Sequence, residues 1–196
     1  MVSQPATRVP YNAANAQVIY HALRAAGIDF LTFLPDSGTY PIQQLMAADA
    51  AVTSVLCARE DEGFAIAMGA AFAGKRPLML MEGSGYGLSG LILARGLVQH
   101  TPLLILSSHN SALGEQYDYH AATRMVAEST LRALSIPYVV LMRIEDAPTA
   151  IQEAQLTVDG QRIPVAVLLP RHIFAQTSQP VADVTARAAP AGDGAG

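Results

Sequence analysis

The chain has 196 residues, of which 51% are hydrophobic and only 14% are charged, with a formal net charge of −4 at pH 7 and one cysteine, Cys57. The length suits a single domain with a large core, and an acidic balance without any basic run argues against nucleic acid as a partner. The lone cysteine excludes an internal disulfide, and the lack of a leader pattern or of an apolar run of about 18 residues predicts a cytoplasmic protein without a membrane span.

Helical and strand patterns alternate along the chain. The first is an amphipathic helix that Asn12 caps and that Gly27 follows. Apolar runs predict six strands, at residues 30–35, 54–58, 77–82, 102–108, 137–142 and 164–169. Further helices are predicted around residues 42–49, over residues 60–72 before Gly74, through residues 91–98, up to about residue 134, and over residues 146–158 with Asp146 as cap. Residues 83–87 are predicted to be a turn, and residues 109–118 a polar loop.

This order of elements predicts an α/β fold, a doubly wound, six-stranded and mostly parallel sheet with helices on both faces. The strands lack period-2 alternation, which is typical of parallel sheets that are covered on both sides. We expect residues 12–175 to form this domain, residues 1–11 an N-terminal arm, and the Ala-, Pro- and Gly-rich residues 176–196 a disordered tail. Ligands of such sheets bind beyond the carboxyl ends of the strands, so the candidate site residues are those in the loops there.

The densest cluster of charge precedes the most apolar helix, in "CAREDEGFAIAMGAAFAGKRP", residues 57–77. Acids in a first helical turn complement the helix macrodipole, and this explanation is sufficient for Glu60, Asp61 and Glu62 as a group. The small residues that follow would also allow a flat ligand or another backbone to approach closely. A carboxylate that is partly withdrawn from water at the head of this helix would then be a useful proton partner.

Gly85, Gly87 and Gly90 form a G-x-G-x-x-G pattern between a strand and a helix, which is the fingerprint of dinucleotide-binding domains. The pattern lies in the third βα unit rather than the first, and the next strand ends in "LSSHN" without an acid for the ribose. A nicotinamide-binding oxidoreductase subunit is therefore the alternative hypothesis. The chain has no P-loop, and Ser84 lacks the G-x-S-x-G spacing of a nucleophile elbow.

Four polar side chains of one loop could be metal ligands: His109, Glu115, Asp118 and His120. They lack the H-x-x-x-H spacing that places two imidazoles on one helix face. Loops at the carboxyl ends of strands are polar for ordinary reasons, so we predict no metal site in this chain.

Four segments in the right order resemble the pyrimidine-binding domain of thiamine-diphosphate enzymes. They read "REDEGFAIAMGAAFAGKRP", "LMLMEGSGYGLSGL", "PLLILSSH" and "LRALSIPYVVL". The resemblance is to the α subunit of sulfopyruvate decarboxylase and to the matching half of phosphonopyruvate decarboxylase, and it runs from residue 16 to residue 174.

The resemblance implies a carboxy-lyase that acts on a 2-oxo acid with thiamine diphosphate. In that family the first acid of the R-E-[ED]-E-G motif, here Glu60, hydrogen-bonds N1′ of the aminopyrimidine and favours the imino tautomer that removes the C2 proton. A carboxylate can exchange this proton, whereas glutamine could only hold the ring. The family's turn beside the pyrimidine corresponds to Gly83, Ser84 and Gly85.

The resemblance also implies a substrate region formed by Asp36 and Ser37 of "PDS", with His109 and His120. The relatives have "HRG" where this chain has "HNS", residues 109–111, so a basic residue that would suit a sulfonate or phosphonate is missing. His109, Arg124 or a partner residue could replace it. Decarboxylation of a 2-oxo acid is thus expected, without a named acid.

The resemblance also implies a partner subunit. Family members bind the diphosphate and Mg²⁺ through a second domain with a GDG motif, and the GDG of this chain, residues 192–194, has no strand before it and no helix after it. We therefore expect a separate β subunit with that domain, a hetero-oligomer with the cofactor between the chains, and a buried interface that explains the low charge content. A non-catalytic protein that has kept the fold is a third hypothesis.

Overall fold

The computed structural model describes residues 12–110 and 118–174, and in this part six strands form one sheet in the order β2-β1-β3-β4-β6-β5, with every neighbouring pair parallel. The strands are β1 (Phe30–Phe33), β2 (Thr53–Leu56), β3 (Pro77–Glu82), β4 (Leu103–His109), β5 (Tyr138–Val140) and β6 (Pro164–Pro170). The helices are α1 (Ala13–Ala25), α2 (Tyr40–Ala48), α3 (Glu60–Phe72), α4 (Gly85–Leu88), α5 (Gly90–Val98), α6 (Ala121–Ala133) and α7 (Ala147–Gln161). The predicted doubly wound α/β fold is confirmed, whereas the predicted arm and tail lie outside the described residues.

Two apolar cores lie on opposite faces of the sheet. On β4, Leu104 and Leu106 face a core with α1, α2 and α7, while Leu103 and Ile105 face a core with helices α3 to α6. Successive residues of a central strand therefore face the two cores in turn, and both sides are buried. This is why the central strands β3, β4 and β6 are almost continuously apolar.

The ends of the first and third helices follow the sequence signals. Asn12 accepts hydrogen bonds from the backbone N–H groups of Ala14 and Asn15 at 3.1 and 3.3 Å, and it caps α1 as predicted. Gly27 and Gly74 both have φ near +82°, a left-handed conformation that glycine adopts without a Cβ clash. The predicted bounds of α3 and β3 agree with the structure residue by residue.

Several local predictions were wrong. The segment predicted as a turn over residues 83–87 contains the helical turn α4, because Gly85 and Tyr86 are buried against α3 and β3. The edge strands β2 and β5 are shorter than predicted and only partly buried, since each has a single neighbour. Asp146 does occupy the predicted N-cap position of α7, but its side chain makes no capping hydrogen bond within the described residues, because the 3-10 turn Ile144–Asp146 already gives it helical backbone angles. Helix α7 also continues past residue 158 to Gln161.

The topology creates a crevice between β1 and β3. Helix α2, which follows β1, packs on one face of the sheet, and α4 and α5, which follow β3, pack on the other. Neighbouring strands whose connections leave toward opposite faces form the switch point at which α/β sheets bind ligands. Within residues 12–110 and 118–174, no helix is both long and apolar enough to cross a membrane.

Candidate active site

The three acids at the start of α3 have different surroundings. Arg59 donates from Nε and Nη2 to the two carboxylate oxygens of Asp61 at 3.0 and 2.9 Å, and the backbone N–H of Ala58 donates to Glu62 Oε2 at 2.9 Å. Asp61 and Glu62 thus stabilise the helix start locally. Within the part of the chain that the structure describes, the half-buried Glu60 carboxylate accepts no hydrogen bond. Glu60 is therefore the acid of the three that is available to a ligand.

The structure brings Glu60 next to the 83–85 turn. A Cβ placed on Gly85 would overlap Cγ of Glu60 and would lie 2.8 Å from Sδ of Met81. Only a residue without a side chain fits between α3 and β3 here. Because Gly85 lies directly against an acid, a pyrophosphate bound at this glycine would meet a negative charge, which disfavours the dinucleotide interpretation.

Gly83 is enclosed on the other side of the turn. A Cβ there would lie 2.6 Å from the backbone oxygen of Ser108 and 2.9 Å from Cγ2 of Thr123. Real Cβ atoms do not approach a backbone oxygen so closely. The turn is thus held between β4 and α6 on one side and α3 on the other.

Asp36 lies in the loop after β1 and is buried. Its Oδ1 accepts from the backbone N–H of Gly38 at 3.1 Å, and its Oδ2 accepts from the hydroxyl of Thr39 at 2.8 Å. Burial raises the pKa of Asp36, and the negative charge of Glu82 acts in the same direction, against the hydrogen bonds that stabilise the carboxylate. Ser37, in the same loop, is exposed.

The raised pKa of Asp36 predicts a pH-dependent stability effect. A carboxyl group whose pKa is higher in the folded state contributes stability below its unfolded pKa, and it loses that contribution as the pH rises through the folded pKa. We therefore expect Asp36→Asn to raise the urea midpoint at pH 7 and to change it much less at pH 4. Glu153→Gln, an exposed substitution on α7, should leave both midpoints unchanged. A destabilised Asp36→Asn variant at pH 7 would contradict this expectation.

Glu82 was not among the predicted site residues, yet it joins three segments. Its Oε2 accepts from the hydroxyl of Ser84, and its Oε1 accepts from the hydroxyl of Thr123 at 2.6 Å and from Nδ2 of Asn110 at 3.4 Å. The signal that could have identified it is its position as the last residue of β3, at the switch point. Ser84, predicted to be part of the cofactor turn, is bonded to this carboxylate.

His109 is the last residue of β4 rather than the first residue of a loop, which corrects the predicted boundary. Its side chain is 6% exposed, and its Nε2 lies 3.2 Å from Oε1 of Glu128. The other oxygen of Glu128 accepts from the hydroxyl of Tyr138 at 2.8 Å and from Arg132. Burial lowers the pKa of His109, and Glu128 opposes this effect. Glu128 belongs to no sequence motif and was missed.

The other candidate metal ligands of the predicted polar loop are Glu115, Asp118 and His120. His120 is half-buried in the 3-10 turn Asp118–His120 before α6, where its ring meets that of Tyr119 edge-on with centroids 4.3 Å apart. Glu115 lies outside the described residues. Among residues 12–110 and 118–174, no three His, Cys, Asp or Glu side chains are grouped so that they could hold a metal ion.

Comparisons with known proteins agree on one family. The model of the family "Thiamine pyrophosphate enzyme, N-terminal TPP binding domain" matches residues 14–130, which include Glu60 and the 83–85 turn. The chain is 33% identical over 125 residues to the sulfopyruvate decarboxylase subunit alpha of Methanothermobacter thermautotrophicus, a match that covers 63% of this chain and 76% of the relative. The corresponding subunit of Methanocaldococcus jannaschii is 30% identical over 151 residues, with 76% and 89% covered.

Solved structures agree on the fold. The thiamine diphosphate-dependent 4-hydroxybenzoylformate decarboxylase of Rhodococcus jostii RHA1 superposes with a TM-score of 0.62 at 20% identity over 91% of this chain. This chain spans 34% of that enzyme, so the likeness concerns about a third of a longer chain. Because the family model covers more than half of the chain, from α1 into α6, the chain belongs to the thiamine pyrophosphate enzymes and carries their N-terminal TPP binding domain.

Proposed function

We propose that this chain is the α subunit of a two-chain, thiamine-diphosphate-dependent decarboxylase of a 2-oxo acid. The relatives named sulfopyruvate decarboxylase subunit alpha support a decarboxylase and a second subunit. The observation that carries the proposal is the contrast among the acids of α3, where Asp61 and Glu62 are bonded locally while the Glu60 carboxylate accepts no hydrogen bond within the described residues.

The residues at the head of α3 fit the aminopyrimidine of the cofactor. When bound, thiamine diphosphate supplies the carbon nucleophile and the electron sink that decarboxylation of a 2-oxo acid needs. Glu60 would hold N1′ of the ring and share a proton with it, which a carboxylate can do. Because Gly85 has no side chain, Cβ and Cγ of Glu60 can lie directly against the turn. Gly83 and Ser84 would complete the wall on that side.

Four predicted residues would form the substrate side of the site. Burial favours the neutral form of Asp36 through its raised pKa, so this residue could donate a hydrogen bond to a substrate oxygen. Burial favours the neutral form of His109 through its lowered pKa, and Glu128 fixes the ring. Ser37 and His120 remain proposed substrate contacts on the loops after β1 and before α6.

The proposal assigns the diphosphate and Mg²⁺ to a β subunit. An exposed apolar surface on this chain could receive such a partner. This surface, here called the apolar face, consists of Ala65, Gly69 and Phe72 of α3 with Leu88 of α4 and Leu91 of α5. Helix α3 packs against both α4 and α5, so these side chains belong to neighbouring elements. Phe72 is 60% exposed and Leu91 is 70% exposed, and patches of this kind are typical of protein interfaces. Glu60 begins the helix that contributes most of this face, so the partner would come close to the site.

Two substitutions of Gly69, to alanine and to arginine, test the apolar face. Apart from the neighbouring backbone of its own helix, no atom would lie within 4 Å of a Cβ at this position, so Gly69→Ala should stabilise the isolated chain by about 0.5–1 kcal/mol in urea unfolding. Gly69→Arg should leave the isolated chain folded but weaken its association with the β subunit by about a hundredfold or more in calorimetry, because a desolvated charge would enter the interface. Gly160→Arg on α7, where a Cβ is equally unobstructed, is the matched control and should associate normally. Normal association of Gly69→Arg would contradict this location of the interface.

Co-expression tests the proposed function. The chain should be purified alone and together with a subunit that carries a GDG domain, and carbon dioxide release should be measured with thiamine diphosphate, Mg²⁺ and a panel of 2-oxo acids that includes 3-sulfopyruvate and pyruvate. We expect release by the pair from at least one acid, and only background release by the chain alone. A pair that is inactive on the whole panel, or a chain that is fully active alone, would contradict the proposal.

A further inference from the structure

Glu82 connects the end of β3 to three separate segments of the chain. The hydroxyl of Ser84 is the donor from the turn, Nδ2 of Asn110 is the donor from the residue after β4, and the hydroxyl of Thr123 is the donor from α6. Glu82 is half-buried, so these bonds are shielded in part from competition with water. A carboxylate is suited to this position because it is an acceptor only and can serve several donors at once.

The turn that Glu82 holds has little room to move. Its first glycine, Gly83, lies against the backbone oxygen of Ser108 and the methyl group of Thr123, and its last glycine, Gly85, lies against Cβ and Cγ of Glu60. A displacement of the turn away from β4 would therefore push directly on the base of the Glu60 side chain. Glu82 is thus linked to Glu60 through the backbone of residues 83–85.

We propose that Glu82 is a positioning residue that sets the location of Glu60 through the 83–85 turn. This role rests on the proposed function, because it matters for catalysis only if Glu60 engages the cofactor. Alanine at position 82 would leave the hydroxyls of Ser84 and Thr123 and the amide of Asn110 without their acceptor, so the turn would lose its attachment to α6. Glutamine would retain one oxygen acceptor, and because hydroxyl groups can accept as well as donate, its amide could bond one of them. Glutamine should therefore rescue the position of the turn.

Hydrogen exchange of the full-length chain without any cofactor tests the structural half of this proposal. The backbone N–H of Gly87 donates to the Ser84 oxygen at 3.0 Å, and that of Ser89 donates to the Gly85 oxygen at 3.1 Å. In Glu82→Ala, exchange of a peptide that covers residues 83–89 should become about tenfold faster, while peptides from α7 keep the wild-type rate. Glu82→Gln and the exposed control Glu153→Ala should exchange like the wild type. Equal acceleration throughout the Glu82→Ala chain, or none, would overturn the proposal.

Kinetics of the complex with the β subunit tests the catalytic half. For Glu82→Ala we expect kcat to fall about a hundredfold, as for a displaced catalytic group, with KM for the 2-oxo acid within about threefold of the wild type. Glu82→Gln should recover most of kcat, and an unchanged kcat in Glu82→Ala would overturn the proposal. If the wild-type complex itself released no carbon dioxide, the proposed function would fail, whereas the exchange experiment would still decide whether Glu82 holds the turn.

Discussion

Glu60→Gln, in a complex of this chain with the proposed β subunit, is expected to lower kcat for carbon dioxide release about a thousandfold. Glutamine has nearly the same shape as glutamate and can still hydrogen-bond a ring nitrogen, but it cannot take up or release the proton. The fold should be unaffected, because within the described residues the Glu60 carboxylate accepts no hydrogen bond that the substitution could break. The measurement is steady-state kinetics at saturating cofactor, with circular dichroism as the check on folding.

Glu62→Gln is the matched control for this substitution. It removes a carboxylate two residues away in the same helical turn, and the glutamine oxygen can still accept from the backbone N–H of Ala58. A general effect of charge at the head of α3 would lower kcat in both variants. A specific role of Glu60 predicts a kcat within about threefold of wild type for Glu62→Gln, since a surface charge that does not touch the reacting atoms has a small effect. Equal losses in the two variants would contradict the assignment.

Gly85→Ala is expected to lower both activity and stability. The new methyl group would overlap Cγ of Glu60 and lie 3.0 Å from its Cβ, and these atoms belong to the base of the side chain, which cannot move without shifting the start of α3. We expect a loss of about 1–3 kcal/mol in the free energy of unfolding, as for overpacked cores. A displacement of Glu60 by about 1 Å should lower kcat about a hundredfold. Urea unfolding of the chain and kinetics of the complex measure the two effects.

Gly90→Ala is the control for Gly85→Ala. Gly90 begins α5, and a Cβ there would meet no atom within 4 Å apart from the neighbouring backbone of its own helix. This variant should keep the wild-type kcat and gain a little stability from the better helix propensity of alanine. If Gly85→Ala behaved like Gly90→Ala, the close packing of the turn against Glu60 would not matter for the reaction.

Most of the fold could be predicted from the sequence because the local signals for helices and strands agree with the pattern of buried residues. The bounds of α3 follow from the acids at its start and from Gly74 after its end, and β3 follows from an unbroken apolar run. The errors occur where tertiary packing, rather than the local sequence, determines the secondary structure. Residues 83–87 have turn composition, yet Gly85 and Tyr86 become helical because β3 and α3 bury them. The strand order was not predictable, since it depends on which helices pack on which face.

The candidate site could be predicted only in part. The resemblance pointed to Glu60 and the glycine turn, and the structure places Gly85 against Glu60 although they are 25 positions apart in the chain. Glu82 and Glu128 were missed because their partners, Thr123 and His109, come from elements that are distant in the chain. No residue spacing encodes such contacts. The roles of Asp36, Ser37, His109 and His120 as substrate contacts stay predictions.

The most direct measurement of the central claim is the rate at which the C2 proton of bound thiamine diphosphate exchanges for deuterium in the proposed two-chain complex. It reports activation of the cofactor before any substrate binds, so it does not depend on which 2-oxo acid is used. We expect exchange in the wild-type complex to be far faster than for the free cofactor, to remain fast in Glu62→Gln, and to slow about a thousandfold in Glu60→Gln. Equal exchange rates in the wild type and Glu60→Gln would contradict the account.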